Sequence, residues 1–356
     1  MERALELAAL GTGRTSPNPL VGAVVLDAAG TLVGEGFHAR AGTPHAEVHA
    51  LAQAGERARG GTLIVTLEPC CHHGRTPPCA DAVIAAGISR VVVAMADPNP
   101  QVAGGGIARL QAAGIAVIAG PGEAEARALN RAFVHRISTG RPLGILKWAM
   151  SLDGRTALSN GASQWISGPP ARAWVHRLRS QCDAVIVGGG TLRADDPLLT
   201  SRGQRNPEPL RVVLSRRLEL PDTAQLWDTA AAATLVAHGP EAPGQARARL
   251  AAICAAHPGL EALELTSCSA TALMQALAQR GCNQVLWECG PELAAAALRE
   301  GCVQQVAAVI APKLLGGQAA RTPLGELGFT SLEQLPHWQR SLPSPLGADL
   351  LWQLNA

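Results

Sequence analysis

The sequence has few aromatic residues and no clustered positive charge. Phe, Trp and Tyr make up 3% of its 356 residues, Tyr is absent, and Lys and Arg are scattered through a chain of formal net charge +2. Binding to a nucleic acid calls for a basic stripe with aromatic side chains for base stacking, and an anionic membrane surface calls for a basic patch. We therefore expect neither a nucleic acid nor a membrane as a partner, whereas a small anionic substrate needs only a few Arg or Lys residues.

Long apolar runs and a secretion signal are also missing. No run reaches the roughly 18 residues that span a bilayer, and Glu2 and Glu6 lie where a signal peptide would be basic and then apolar. This opening segment is typical of a short amphipathic helix. The nine cysteines are odd in number and too sparse for a disulfide scaffold, which indicates reduced thiols or metal ligands. A cytoplasmic location is expected.

The length and the order of predicted elements indicate two α/β domains. Domains of roughly 150–200 residues are the default for such a chain. Strand-like stretches alternate with helix-like stretches that end at Gly, including one predicted helix over 123–137, and this order predicts sheets covered by helices. The break STGRP at 138–142 places the boundary between domains 1–142 and 143–356. The Ala-rich segment 221–280 contains no motif that we can interpret.

The strongest chemical signal is His45-Ala-Glu47, followed by Glu68-Pro-Cys70 and, nine residues later, Cys79. One His and two Cys around Zn²⁺, with a Glu that does not bind the metal, is the arrangement of zinc deaminases. Three protein ligands leave a fourth position for water, whose pKa zinc lowers to about 7. We predict that His45, Cys70 and Cys79 bind Zn²⁺ and that Glu47 is the catalytic acid and base.

Other potential ligands surround this set. Cys71, His72 and His73 follow Cys70 directly, and His49 lies one helical turn after His45. A fourth protein ligand would close the position that water needs, so we interpret Cys71 as a bystander and the histidines as loop or structural residues. The alternative is a structural zinc site, or buried thiols beside a coincidental His.

In general deaminases the two cysteines are close together, in the motif P-C-x-x-C. Here the loop CCHHGRTPPC at 70–79 separates them further, and this longer loop resembles the pyrimidine deaminase of riboflavin biosynthesis. Further matching segments are PNPLVGA (17–23), GEGFH (34–38), GTPHAEVHA (42–50), TLEPC (66–70) and DPNPQVAG (97–104). The resemblance implies a cytidine-deaminase-like three-layer fold over nearly the whole first domain. It also implies that Asn18, Arg75, Asp97 and Asn99 bind the substrate, although the residues alone favour turn chemistry beside Pro for Asn18, Asp97 and Asn99. The family usually has Ser at position 71.

The second half lacks a G-x-G-x-x-G motif but resembles the reductase of the same bifunctional enzyme, an α/β domain of dihydrofolate-reductase type. The matching segments are LKWAMSLDGRT (146–156), SQWI (163–166), VGGGT (187–191), DDP (195–197), ECGPEL (288–293) and APKLLG (311–316). By resemblance, the NADPH contacts would be Ala149, Trp165, Thr191, Asp195, Ser215, Gly290, Pro291, Glu292, Leu293, Ala294, Ala295 and Ala296. The substrate contacts would be Ser163, Arg179, Leu199, Arg202 and Glu288.

The resemblance implies two reactions on one pathway intermediate. A diamino-pyrimidinone ribosyl phosphate would lose its ring amino group, and NADPH would then reduce the ribosyl group to ribityl. Lys147 and Asp153 are candidate proton donors by charge, although both could be structural. The main alternative is a deaminase whose second domain binds a nucleotide without reducing anything, and a second alternative is a nucleic-acid-binding zinc module. We expect a homo-oligomer.

Overall fold

The computed structural model describes residues 1–71, 78–100 and 102–356. The chain divides into two compact units, Met1–Gly140 and Arg141–Ala356. Within the described residues, no helix combines the length and the apolar character needed to cross a membrane.

The first unit alternates strands with helices, and the predicted amphipathic opening helix is confirmed. Its elements are α1 (Glu2–Ala9), β1 (Gly22–Leu26), β2 (Leu32–Phe37), α2 (Ala46–Ala54), β3 (Thr62–Leu67), α3 (Cys79–Ala85), β4 (Arg90–Met95), α4 (Gly105–Ala112), β5 (Ala116–Ala119), α5 (Glu123–Leu129) and α6 (Arg131–Thr139).

The five strands form one sheet in the order β2-β1-β3-β4-β5. The pairs β1–β2 and β1–β3 are antiparallel, while β3–β4 and β4–β5 are parallel. Successive side chains of β1 point to opposite faces: Ala23 and Val25 join the core that contains α2, and Val24 packs with Leu7 of α1. Helices therefore cover both faces of the sheet, which gives the predicted three layers.

The single helix predicted over 123–137 is wrong, because the chain breaks at Asn130 between α5 and α6. The Asn130 carboxamide oxygen accepts a hydrogen bond from the backbone N–H of Leu20 at 2.7 Å, and its amide nitrogen donates to the Leu20 carbonyl at 2.9 Å. Asn side chains compete with the helix in this way for backbone partners. Through these two bonds, Asn130 holds the start of α6 against the segment that leads into β1.

The second unit is also α/β. Its elements are β6 (Leu143–Ser151), α7 (Pro169–Gln181), β7 (Ala184–Gly188), α8 (Gly189–Asp195), β8 (Leu210–Leu214), β9 (Thr234–His238), α9 (Gly244–Ala256), β10 (Leu260–Glu264), α10 (Ala270–Gln279), β11 (Gln284–Trp287), α11 (Pro291–Arg299), β12 (Gln305–Ala311), β13 (Gln339–Arg340), β14 (Ser344–Leu346) and β15 (Asp349–Asn355).

These strands form a mixed sheet in the order β10-β9-β8-β7-β11-β6-β12-β15-β13, with β14 paired to β15. The strands from β10 to β12 are all parallel, and the C-terminal strands pair antiparallel. The segment 221–280, which had no interpretable motif, supplies β9, α9, β10 and α10 and so completes the parallel edge. In a parallel sheet of this kind, ligands bind beyond the carboxyl ends of the strands.

Candidate active sites

The three predicted zinc ligands meet in the first unit. His45 directly precedes α2, Cys70 lies just after β3, and Cys79 is the first residue of α3. Their ligand atoms all lie within 4.8 Å of one another, with His45 Nδ1 at 3.1 Å from Cys79 Sγ and 3.7 Å from Cys70 Sγ. One imidazole nitrogen and two sulfurs fit a tetrahedral zinc ion that keeps one open position.

Electrostatics within this set favour a thiolate at Cys70. The contact with Cys79 lowers the pKa of the Cys70 thiol to about 4, against the opposing effect of burial. The same contact and burial raise the pKa of the Cys79 thiol. The backbone N–H of Cys79 also donates to the Cys70 sulfur at 3.3 Å.

Glu47 follows His45 on the first turn of α2 and is 3% exposed. Burial raises the pKa of its carboxyl to about 7. Its Oε2 is buried without a hydrogen-bond partner among the described residues. A buried polar atom without a partner is costly and calls for an explanation, and here the carboxyl lines a cavity of about 530 Å³.

The cavity brings together most of the predicted deaminase residues. Its walls include His45, Glu47 and Cys70 together with the three predicted substrate residues Asn18, Asp97 and Asn99. The prediction for Arg75, like those for His72 and His73, falls outside the described residues.

The structure separates the remaining neighbours from the ligand set. The sulfur of Cys71 lies against Gly105 at the start of α4. A Cβ built on Gly105 would lie 2.7 Å from this sulfur. The Cβ of His49 lies similarly close to Gly36 of β2. Neither residue belongs to the group that could hold a metal among the described residues.

Glu68 is a buried carboxylate for which the sequence predicted no role of its own. Its Oε1 accepts hydrogen bonds from the backbone N–H groups of Gly106 (2.9 Å) and Ile107 (3.1 Å). Its Oε2 accepts from those of Asp97 (3.2 Å) and Gly104 (3.0 Å). One side chain thus ties the segment that carries Asp97 and Asn99 to the end of β3, two residues before the predicted zinc ligand Cys70.

The second unit buries a cluster of charges at the carboxyl end of β11 and the middle of β6. The Arg179 guanidinium binds Glu288 through two bonds and donates to the Thr200 carbonyl at 3.0 Å. The Lys147 ammonium lies 3.7 Å from the Glu288 carboxylate. Burial alone would raise the pKa of Glu288, but the charges of Arg179 and Lys147 outweigh it and lower the value to about 2. Burial lowers the pKa of Lys147, with Glu288 opposing the change.

The predicted substrate residues Leu199 and Arg202 lie in a loop with unusual backbone geometry. Both have positive φ, 56° and 59°, a conformation that few non-Gly residues adopt. The carboxylate of Glu208 holds this loop by accepting from the backbone N–H groups of Ser201 (2.6 Å) and Gly203 (2.8 Å). Leu199 is buried and Arg202 is exposed.

Four predicted cofactor residues make polar contacts at the ends of β7, β8 and β11. The Thr191 hydroxyl accepts from the Gly290 N–H at 3.2 Å and so links α8 to the start of α11. The Asp195 carboxylate accepts from the predicted substrate residue Ser163 at 3.3 Å. The Ser215 hydroxyl accepts from the Leu218 N–H.

The other predicted cofactor residues differ in exposure. Trp165 is 63% exposed with the Arg172 guanidinium 4.8 Å from its ring centre, whereas Ala294 and Ala295 are buried inside the unit. Those that are half-buried or exposed are Ala149 on β6 and Pro291, Glu292, Leu293 and Ala296 on α11.

Sequence reasoning missed several cavity residues. His38 lines the cavity and lies 3.0 Å from Asn18 through its Nε2, and the matching segment at 34–38 already contained it. Phe133, Arg136 and Ile137 of α6 also line the cavity. No local motif marks them, since only the packing of α6 brings them to the site.

Comparisons with known proteins match both units. The family model for the cytidine and deoxycytidylate deaminase zinc-binding region matches residues 1–95, and that for the RibD C-terminal domain matches residues 142–343. The riboflavin biosynthesis protein RibD of Synechocystis is 52% identical over 94% of this chain and 89% of its own length. That of Escherichia coli is 44% identical over 90% and 88%.

Solved structures agree over the whole chain. RibD of Acinetobacter baumannii is 41% identical, covers 99% of this chain and 97% of its own, and superposes with a TM-score of 0.88. A Thermotoga maritima protein described as a diaminohydroxyphosphoribosylaminopyrimidine deaminase and 5-amino-6-(5-phosphoribosylamino)uracil reductase is 35% identical, covers 100% and 97%, and has a TM-score of 0.87. The chain therefore belongs to the RibD family, the bifunctional deaminases and reductases of riboflavin biosynthesis.

Proposed function

We propose that the first unit deaminates 2,5-diamino-6-(5-phosphoribosylamino)pyrimidin-4(3H)-one hydrolytically with zinc, and that the second unit reduces the product with NADPH to 5-amino-6-(5-phosphoribitylamino)uracil. The observation that carries the proposal is that Glu47 lines one cavity with His45 and Cys70, whose ligand atoms lie within 4.8 Å of that of Cys79. Nitrogen and sulfur ligands suit zinc. When bound, zinc lowers the pKa of a coordinated water to about 7 and supplies a nucleophile at neutral pH.

In deamination, Glu47 transfers protons and residues of the cavity wall bind the substrate. Glu47 Oε2 has no described partner, so it is placed to accept a proton from the attacking water and pass it to the ring nitrogen. The same carboxyl would then take the remaining proton of the added hydroxyl and deliver it to the amino group, which leaves as ammonia. General acid–base catalysis of this kind contributes about 10²–10⁴-fold. Asn18 and Asn99 can donate to and accept from a pyrimidine edge, and Arg75 can pair with the phosphate.

Two helix starts in the second unit support the proposal of an anionic dinucleotide cofactor. Gly188 and Gly290 are the residues before α8 and α11, which follow the adjacent parallel strands β7 and β11. Backbone N–H groups at such helix starts favour anions, and a Cβ built on Gly190 would meet no atom within 4 Å. NADPH supplies the hydride, and the protein orients the two reactants.

Of the two candidate proton donors, the geometry favours Lys147. The Asp153 carboxylate accepts from the Ser151 hydroxyl and from the N–H groups of Leu315 and Gly316, which lower its pKa to about 2. It is therefore a charged acceptor at neutral pH. Lys147 is an ammonium with a lowered pKa beside the predicted substrate residue Glu288.

The test is incubation of the zinc-loaded protein with the diamino-pyrimidinone ribosyl phosphate, with and without NADPH, and identification of the products by mass. We expect loss of ammonia without NADPH and, with it, a further gain of two hydrogens. Glu47→Gln should retain zinc and lose deamination while it still reduces pre-deaminated substrate. Loss of zinc in this variant would show that Glu47 is a ligand instead.

The alternative, a deaminase with an inactive second unit, is not favoured, because the RibD C-terminal domain matches residues 142–343. Oxidation of NADPH with pre-deaminated substrate distinguishes the two. The homo-oligomer and the cytoplasmic location stay predictions, which light scattering and cell fractionation would check.

A further inference from the structure

The segment that follows β8 lies where a dinucleotide-binding unit distinguishes its two cofactors. In the second unit β7, the glycines at 188–190, α8 and β8 follow one another, and β7 and β8 pair in parallel. Dinucleotide-binding βαβ units have this order of elements. Further along such a unit, an acidic residue bonds to the ribose 2′-hydroxyl of NADH, or an Arg accommodates the 2′-phosphate of NADPH. Here β8 ends at Leu214, and Ser215, Arg216 and Arg217 come next.

Arg216 is an exposed arginine whose guanidinium has no partner among the residues that the structure describes. It takes part in no hydrogen bond and no ion pair with them, whereas its neighbour Arg217 pairs with Glu219 at 3.8 Å. A guanidinium has five N–H donors in a planar fork and binds a phosphate through two parallel bonds. The donors of Arg216 are therefore available to an anion from outside the protein.

The surroundings of Arg216 place it on the side of the sheet that α10 and α11 cover. Burial and the Glu241 carboxylate raise the pKa of the Cys268 thiol, two residues before α10, and the nearby Arg216 guanidinium lowers it. β8, α10 and α11 contribute to one core cluster. Only β7 separates β8 from β11, so their ends are about 10 Å apart at the usual strand spacing. A dinucleotide whose pyrophosphate lies at the start of α11 can therefore extend its adenosine ribose towards Arg216.

Glu241 is the competing group at this edge of the sheet. Its carboxylate lies against Gly239, the first residue after β9, and β9 pairs with β8. A carboxylate here can accept from a ribose hydroxyl and repels a phosphate unless a cation offsets it. Arg216 directly follows the predicted cofactor residue Ser215, whereas Glu241 lies three residues beyond β9. The arrangement therefore favours the phosphorylated cofactor.

We propose that Arg216 binds the 2′-phosphate of NADPH and makes the second unit selective for NADPH over NADH. The inference rests on the proposed function of the second unit. It assigns the choice between the two cofactors to a residue outside the cofactor contacts that the resemblance implies.

The experiment measures the dissociation constants of NADPH and NADH in the full-length protein by energy transfer from tryptophan to the reduced nicotinamide. Arg216→Met keeps an apolar stem and removes the charge. We expect Kd for NADPH to rise by roughly 10–150-fold, the range for a charge-assisted hydrogen bond, while Kd for NADH changes little. Salt should weaken NADPH binding less in this variant than in the wild type, because exposed charges are screened. Arg216→Lys should restore part of the preference.

A displacement titration isolates the phosphate from the nicotinamide. Adenosine 2′,5′-bisphosphate should displace NADPH from the wild type better than adenosine 5′-monophosphate does, and this advantage should disappear in Arg216→Met. Arg217→Met is the matched control, since Arg217 is the adjacent exposed arginine and already pairs with Glu219. It should bind both dinucleotides as the wild type does.

Three results would overturn the inference. If the wild type prefers NADPH and Arg216→Met keeps that preference, or if only Arg217→Met loses it, the inference fails alone. If the wild type binds NADH at least as tightly as NADPH and Glu241→Gln weakens NADH binding, NADH is the cofactor and Glu241 selects it. If the wild type binds neither dinucleotide, the proposed reductase function fails together with the inference.

Discussion

Arg179 and Glu288 form a two-point ion pair inside the second unit, with Nε 2.6 Å from Oε1 and Nη2 3.1 Å from Oε2. The resemblance placed both residues among the substrate contacts. In the structure, the partners of the Arg179 guanidinium are protein groups, namely the Glu288 carboxylate and the Thr200 carbonyl. Its geometry is that of a residue that holds Glu288 and the loop before Arg202 in place.

Replacing Arg179 with Ala should destabilise the second unit strongly. Glu288 would keep a buried charge after the loss of its closest cation, and breaking a buried pair costs about 3–5 kcal/mol. All seven tryptophans lie in this unit and none in the first, so denaturant unfolding followed by tryptophan fluorescence measures the effect. Arg280→Ala, which breaks the exposed pair with Glu261, should cost less than about 1 kcal/mol. Equal small effects would show that the buried pair contributes little.

The lowered pKa of Glu288 predicts loss of stability in acid. A carboxyl whose folded pKa lies below its unfolded value stabilises the fold above the unfolded pKa and loses this contribution as pH falls. With pKa values of about 2 folded and 4.5 unfolded, the loss falls between these pH values and reaches about 2 kcal/mol by pH 3. Unfolding free energies at pH 6 and pH 3 should therefore differ less in Glu288→Gln than in the wild type. An unchanged difference would contradict the assignment.

The two adjacent cysteines should behave differently. Cys71→Ser should retain one zinc per chain and near-normal deamination, because its sulfur lies against Gly105 and outside the ligand set. Cys70→Ser and Cys79→Ser should lose both, because each removes one of three ligands. Metal analysis of the purified variants decides the point. Zinc loss in Cys71→Ser would show that Cys71 binds the metal.

Glu68→Gln should weaken substrate binding in the first unit without loss of zinc. The new NH₂ group would face two of the four backbone N–H donors, at a cost of about 2–4 kcal/mol. We expect faster hydrogen exchange at residues 97–107 and a higher KM for deamination, with reduction unchanged. Glu56→Gln is the control, because Glu56 is 96% exposed. Unaltered exchange in Glu68→Gln would show that the loop is held by other contacts.

Arg202→Ala should weaken reduction at least tenfold. The residue is exposed between two backbone amides that Glu208 fixes, and a lost charge-assisted bond to the substrate is worth about 1.5–3 kcal/mol. Deamination should be unchanged, and so should NADPH affinity, measured by energy transfer from tryptophan. Arg249→Ala, an exposed arginine paired with Asp222, serves as control. Wild-type reduction kinetics in Arg202→Ala would remove this residue from the site.

The grouping of His45, Cys70 and Cys79 could be predicted from sequence because each of them belongs to a short local motif. His45 and Glu47 are two residues apart at one helix start, Cys79 begins the next helix, and each motif orients its own side chains. The same is true of the strands and of the helices that end at Gly, where backbone conformation decides the boundary.

Only the tertiary structure decided which distant side chains meet. Asn130 divides a helix that propensity alone predicts as continuous, because it bonds to Leu20, 110 residues away. The same long-range packing brings Arg136 to the deaminase cavity and joins Arg179 to Glu288, 109 residues apart. Such pairs leave no periodic signal, since a hydrogen bond or an ion pair depends on distance in space, and the fold sets that distance independently of separation along the chain.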